Sequence, residues 1–145
     1  MTASDERAFI DANVLFSAAI GSGVCQIVLT MPSVVCLTSD YCFDEARRNL
    51  TAKAPPEALA WLLSAVEDME VVTTPPPDMW DVIAHHLPAR ATTDLPVLAA
   101  SVTARAHTLI TGNTRDFGGL MTHPVPGLPV VYTPRAFLLR GPRSA

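Results

Sequence analysis

Lys53 is the only lysine in this 145-residue chain; the other nine basic side chains are arginines, and fourteen acids leave a formal net charge of −4. A chain so short of positive charge is not built to hold nucleic acid passively, because such affinity comes from many Lys and Arg contacts with phosphate. The deficit does not exclude a nuclease, since divalent cations can neutralise clustered carboxylates and attract the phosphate themselves. Cysteine is scarce too. Cys25, Cys36 and Cys42 are odd in number and lie in apolar or helical contexts, which argues against a disulfide framework and a zinc site and points to buried thiols. No apolar run reaches the roughly 18 residues that a membrane helix needs, and Met1 to Arg7 is polar and acidic, unlike the opening of a signal peptide. A soluble, cytoplasmic protein with no membrane partner is expected.

What the chain does have is a core. With 49% hydrophobic residues and no repeat, linker or low-complexity segment, residues 1–145 read as one domain. Ala8 to Asp11 predicts a short buried strand, and Val34 to Thr38, Glu70 to Thr73, Thr108 to Thr111 and Pro129 to Thr133 predict four more. Helices are expected over Val24 to Met31, from Ser39 to about Leu50, from Pro55-Pro56 through Met69, from Leu95 to Arg105 and over Pro134 to Arg140. Met79, Val82, Ile83 and Leu87 predict a further short amphipathic helix before Pro88. Gly112 to Gly119 reads as a turn-forming loop. Alternating strands and helices imply parallel pairing through right-handed crossovers, hence an α/β fold with a mostly parallel sheet of four to five strands between two helical layers.

Four acids stand at instructive places. Asp11, Glu45, Asp94 and Asp116 each lie where a predicted strand gives way to a loop or helix, or just inside that helix, and open α/β sheets build their sites at the carboxyl ends of strands. Metal-assisted phosphodiester hydrolysis needs several oxygen ligands converging on ions about 4 Å apart. Each acid also has an ordinary role. Asp11 and Asn13 suit an Asx-type turn, Glu45 lies beside Asp44 and Arg48 as a solvated helix carboxylate would, and Asp94 suits a helix cap. His85 and His86, adjacent on a predicted helix, would diverge and chelate poorly, and His107 and His123 lack ligand spacing. Trp61 and Trp80 fit core or interface burial better than base stacking.

The phrases Phe9-Ile10-Asp11-Ala12-Asn13-Val14-Leu15, Asp94-Leu95-Pro96-Val97-Leu98-Ala99-Ala100 and Ala106-His107-Thr108-Leu109-Ile110-Thr111-Gly112-Asn113-Thr114-Arg115-Asp116-Phe117, together with Glu45, resemble the PIN domain family over nearly the whole chain. That resemblance implies an α/β/α domain that binds Mg2+ or Mn2+ and cuts RNA, with Asp11, Glu45, Asp94 and Asp116 as catalytic and metal-binding acids. The family often carries an aspartate where this chain has Asn113, and a similar subgroup has the Thr-x-Asn-x-x-Asp-Phe form found here, which makes Asp116 the late carboxylate. Asn13, Thr111, Asn113 and Arg115 are implied in support, Thr111 orienting a carboxylate or water and Arg115 contacting phosphate. The short length further resembles VapC-like toxins, implying a cognate antitoxin that enters the acidic groove and a homodimer.

Two other readings remain open. A haloacid dehalogenase-like phosphatase would use Asp11 as nucleophile, but it needs a second aspartate where Asn13 stands and a lysine other than the remote Lys53. A non-catalytic binding module would keep the fold while Asn113 weakens its metal site. For a repulsive acidic cluster, Asp11→Asn and Asp94→Asn are both expected to abolish cleavage and leave the fold intact.

Overall fold

The computed structural model describes residues 5–140; the first four residues of the polar opening segment and the five that end the chain lie outside the described residues. Strand β1 (Glu6–Ile10) is central because Ala8, Phe9 and Ile10 have no exposed surface and need cover on both faces. It pairs in parallel with β2 (Val34–Ser39) on one side and β4 (Thr108–Ile110) on the other. β3 (Glu70–Val72) extends the sheet beyond β2, and β5 (Val130–Tyr132) beyond β4, giving five parallel strands in the order β3-β2-β1-β4-β5.

Seven helices connect them among the described residues: α1 (Ala12–Ala19), α2 (Gly23–Leu29), α3 (Asp40–Lys53), α4 (Pro56–Val66), α5 (Leu95–Thr103), α6 (Thr114–Thr122) and α7 (Pro134–Leu139). The path steps from β1 to β3 in one direction and from β4 to β5 in the other. Right-handed crossovers then put the helices of the two halves on opposite faces, producing the three-layer α/β/α arrangement expected from the sequence. α1 packs on α2, α3 and α4, and α2 on α7. No single helix among the described residues is long and apolar enough to cross a membrane; α1 and α2 together would suffice by length and composition but bend by 115° at their junction. The reversal of strand order between β1 and β4 opens a crevice beyond their carboxyl ends, the place where such sheets bind ligands.

Local chemistry sets most boundaries as the sequence predicts. Ser39 accepts from the Cys42 amide and starts α3, with Asp40 in its first turn, and Pro56 is the first residue of α4. Two expectations are corrected. Met79 to Leu87 forms no amphipathic helix but two tight 3-10 turns, Pro77–Met79 and Ala84–His86. Only Ile83 and Leu87 are buried there, whereas Val82 is 74% exposed; the apolar spacing marked two anchor points rather than a face, and Trp80 Nε1 ties the segment back to the Pro75 carbonyl at 2.8 Å. The loop read from Gly112 to Gly119 is largely α6. Asn113 caps it by accepting from the Asp116 amide at 3.1 Å, and the burial of Phe117 and Leu120 overrides the poor helix propensity of Gly118 and Gly119.

The far end of the sheet carries a polar lock. Glu6, 5% exposed at the start of β1, bonds the Thr108 hydroxyl at the start of β4 and the guanidinium of Arg140 just after α7. That guanidinium lies over the Phe137 ring, 4.1 Å from its centroid, so one ion pair joins β1, β4 and the last helix. Removing one member of a buried pair strands the other charge, which typically costs 3–5 kcal/mol. Glu6→Ala is therefore expected to lower unfolding stability by about 3 kcal/mol in a urea titration, and Glu6→Met with Arg140→Met to recover most of it. A Glu6→Ala loss near zero would show that the pair does not secure α7.

Candidate active site

Asp11 follows β1 directly, and its amide continues the ladder to the Ile110 carbonyl at 3.0 Å, which points its side chain into the crevice. The carboxylate is only 4% exposed. Four donors meet it: the Ala12 amide at 2.7 Å, the Thr111 hydroxyl at 2.7 Å, Asn13 Nδ2 at 3.2 Å and the Cys42 thiol at 3.8 Å. Asn13 accepts in turn from the Gly112 amide at 2.7 Å. A Cβ at Gly112 would stand 3.1 Å from Asn13 Oδ1, so only glycine lets this loop approach without pushing Asn13 aside. Asp11 does cap α1, its carboxylate accepting from the Ala12 amide as the Asx-turn reading expects, but both side chains also bond the loop behind β4, a hundred residues away.

The outer half of the crevice is built from α5, α6 and the turn between Pro88 and Asp94. Asp94 ends the 3-10 turn Thr92–Asp94 instead of following a strand, and its carboxylate makes no capping bond to α5, so the cap role fails. It accepts instead from Asn113 Nδ2 at 3.3 Å, which also reaches Asp116 at 3.2 Å. Arg90 Nε donates to the other Asp116 oxygen at 3.0 Å, and Arg90 NH2 to the Arg115 carbonyl at 3.1 Å. Glu45 approaches from α3, half-buried. Arg47 and Arg48 both turn to Asp44, so the surface pairing expected of Glu45 belongs to its neighbour.

Electrostatics join these groups. Burial pushes the Asp11 carboxyl above its ordinary range against the pull of its four donors. Glu45 is raised by burial and then by the charge of Asp11. Asp94 is pushed up to about 7 by burial, by its hydrogen bond with Asp116 and by Asp11. Asp116 is held below its ordinary range by Asn113, Asp94 and Arg90. Their proximity drives the two carboxyls apart, the more buried Asp94 upward and Asp116 downward. The Tyr41 phenol, bonded to the Thr93 carbonyl at 3.2 Å, is raised by burial and by the charges of Glu45, Asp94 and Asp11. All four sequence-selected acids therefore feel a common crevice.

The donor set is made of hard oxygens, which suits Mg2+ or Mn2+ better than softer metals, and its mutual repulsion leaves a deficit of positive charge. Among the described residues, however, no three His, Cys, Asp or Glu side chains converge closely enough to enclose an ion. Arg115 is exposed, and its backbone carbonyl accepts from Arg90. His85 and His86 do not diverge as a helix would require: in their 3-10 turn the ring centroids are 3.9 Å apart. Trp61 and Trp80 pack against the core. Lys53 ends α3 in the open, about 12 Å along the helix axis from Glu45 at 1.5 Å per residue, and brings the phosphatase reading no lysine in the crevice. Sequence reasoning missed Arg90 and Tyr41, although each precedes a selected acid by four residues, and Tyr41 shares the helical face of Glu45.

A chain of a toxin-antitoxin complex from Klebsiella pneumoniae matches this one with a TM-score of 0.66 at 19% identity, covering 88% of this chain and 97% of that one. A chain of VapBC2 from Rickettsia felis, bound to a DNA fragment from its promoter, matches with a TM-score of 0.63 at 13% identity, over 88% and 98% of the two chains. VapBC-5 of Mycobacterium tuberculosis gives a TM-score of 0.53 at 20% identity, over 88% and 96%. No family model and no curated protein matches the sequence. At these identities the likeness shows the fold, a PIN-like α/β/α domain shared with VapBC toxin-antitoxin structures.

The two inner acids should respond differently to neutralisation. A carboxyl with a folded pKa near 7 holds a proton that the unfolded chain releases near 4, so it draws stability away as pH rises from about 4 to 7. Asp94→Asn removes that drain and is expected to raise Tm by about 4 °C at pH 8 in EDTA and little at pH 4; an unchanged or lower Tm at pH 8 would contradict it. Asp11→Asn places an amide NH2 among four donors, and a loss of about 1–3 kcal/mol is expected in denaturant titration. Full stability of that variant would show the four donors to be dispensable.

Proposed function

We propose that this chain is a Mg2+- or Mn2+-dependent endoribonuclease that hydrolyses RNA phosphodiester bonds in the cytoplasm, as the toxin of a VapBC-like type II pair. The observation that carries the reading is the gathering of Asp11, Glu45, Asp94 and Asp116, distant in sequence, at the crevice beyond β1 and β4. The shared fold with toxin-antitoxin structures supports the toxin half. Asp11, Glu45 and Asp94 would hold the ion, with Asp116 at the mouth. A bound divalent ion lowers the pKa of a water and offsets charge that develops on the phosphate.

The chain's own groups set the stage for that chemistry. The four donors on Asp11 fix its carboxylate, so no orientational freedom is lost when it acts. Thr111 orients Asp11 through its hydroxyl, and Asn13 holds the Gly112 loop against it. Glu45, which no donor fixes among the described residues, is free to turn toward a ligand or a proton. Tyr41 ties α3 to the turn that carries Asp94, keeping Glu45 and Asp94 on one side of the crevice. A small antitoxin with a DNA-binding half would cover the acidic groove, and a homodimer could use exposed apolar side chains such as Leu63 and Val82.

One observation favours the alternative of a non-catalytic module: no three ligands already enclose an ion among the described residues. Cleavage separates the two. Purified protein is expected to cut a fluorogenic single-stranded RNA with Mn2+ or Mg2+ and not with EDTA. Glu45→Gln and Asp94→Asn, which keep the fold, should each lose at least about 100-fold in kcat/KM. Metal-independent cleavage, or cleavage undiminished in both variants, would reject the assignment; no cleavage of any RNA offered would favour the binding module.

A further inference from the structure

Tyr41 lies among the acids of the crevice without being one of them. It stands in the first turn of α3, one residue before Cys42, whose thiol meets Asp11, and one turn before Glu45 on the same helical face. Its phenol donates to the Thr93 carbonyl at 3.2 Å, one residue before Asp94. So placed, the phenol is raised by burial and then by the charges of Glu45, Asp94 and Asp11. The helix holds the near end of the ring, the Thr93 bond holds the far end, and the side chain packs half-buried against the core. An aromatic plane fixed in this way offers stacking surface with little rotamer freedom left to lose.

The charge of the chain gives such a surface its importance. With a net charge of −4, affinity for RNA cannot come from many Lys and Arg contacts to phosphate, and the acids of the crevice repel the RNA backbone. Stacking escapes that repulsion, because every nucleobase has a π face and the contact carries no charge. Other aromatic side chains are committed elsewhere: Phe9, Phe117 and Phe137 are at most 1% exposed, and Trp80 is tied to the Pro75 carbonyl. Resting on the reading above that RNA is the ligand, we propose that the Tyr41 ring stacks on an unpaired nucleobase and so seats single-stranded RNA at the crevice. Such a contact needs a base outside a duplex and tolerates any sequence.

Equilibrium binding in EDTA tests this with neither an ion nor cleavage in play. Fluorescein-labelled single-stranded RNA, intact or with one abasic position moved along the strand, is titrated at low salt with wild type, Tyr41→Phe and Tyr41→Leu. Anisotropy reads the affinity, and circular dichroism confirms each fold. Wild type is expected to bind intact RNA and to lose about 10-fold in affinity at one abasic position. Tyr41→Phe, which keeps the ring and drops the Thr93 bond, should show the same loss there, and Tyr41→Leu should bind intact and abasic RNA alike. A merely structural role would weaken both RNAs equally in Tyr41→Leu and leave the abasic loss in place. That result, disappearance of the abasic loss in Tyr41→Phe, no abasic loss in wild type, or no binding of wild type to any RNA offered overturns the contact and leaves the nuclease reading to the cleavage assay. The expected binding pattern without cleavage in that assay overturns the nuclease reading and upholds the contact.

Discussion

The Asp11 carboxylate joins the parts of this domain that have to meet. Its donors come from the start of α1, from the loop after β4 and from α3, and its backbone amide extends the ladder between β1 and β4. A buried carboxylate is tolerable only when its lone pairs are met, so this one group obliges three segments to hold their relative places. The other features of the crevice follow from that anchoring. Gly112 has to come close enough to bond Asn13, Thr111 has to turn inward, and the helix that begins at Asn113 is then aimed across the crevice at Asp94.

From inside to outside, the crevice changes in the way its negative charge is met. Asp11 is surrounded by neutral donors, Asp116 is paired with a guanidinium and an amide, and Glu45 and Asp94 between them have little to offset their charges. The raised Asp94 carboxyl expresses that gap: burial and its acidic neighbours disfavour its charged form. The opposite end of the sheet is closed with the opposite strategy, an ion pair between Glu6 and Arg140 in which each charge is met by the other.

Much of this was legible in the order of residues. The five strands fall within a residue or two of their expected positions, because compact apolar runs such as Ala8 to Ile10 and Thr108 to Ile110 have few alternatives to burial in a sheet. Asp11 stood out because it closes an apolar run at a strand end and Asp94 because it opens a helix, whereas Glu45 and Asp116 stood out only through the resemblance to the PIN family. Two elements were misread for a common reason. Met79 to Leu87 has helical spacing without helical packing, and Gly112 to Gly119 has turn composition but is packed as a helix by Phe117 and Leu120. Pattern reports what a segment could bury, and only its neighbours decide what it does bury.

The sequence alone determined the parallel α/β architecture, since alternating buried strands and amphipathic helices close into a sheet between helical layers by short right-handed connections, whatever the details of the loops. It also determined which acids were candidates. Tertiary structure alone decided their partners: that Arg47 and Arg48 go to Asp44 and leave Glu45 without an ion pair among the described residues, that Arg90 and not Arg115 meets Asp116, and that the amide of Asn113 faces two carboxylates. The physical reason is range. Apolar burial follows from composition and periodicity along the chain, whereas hydrogen bonds and ion pairs depend on a few ångströms and on direction, which are fixed only when segments far apart in sequence are packed side by side.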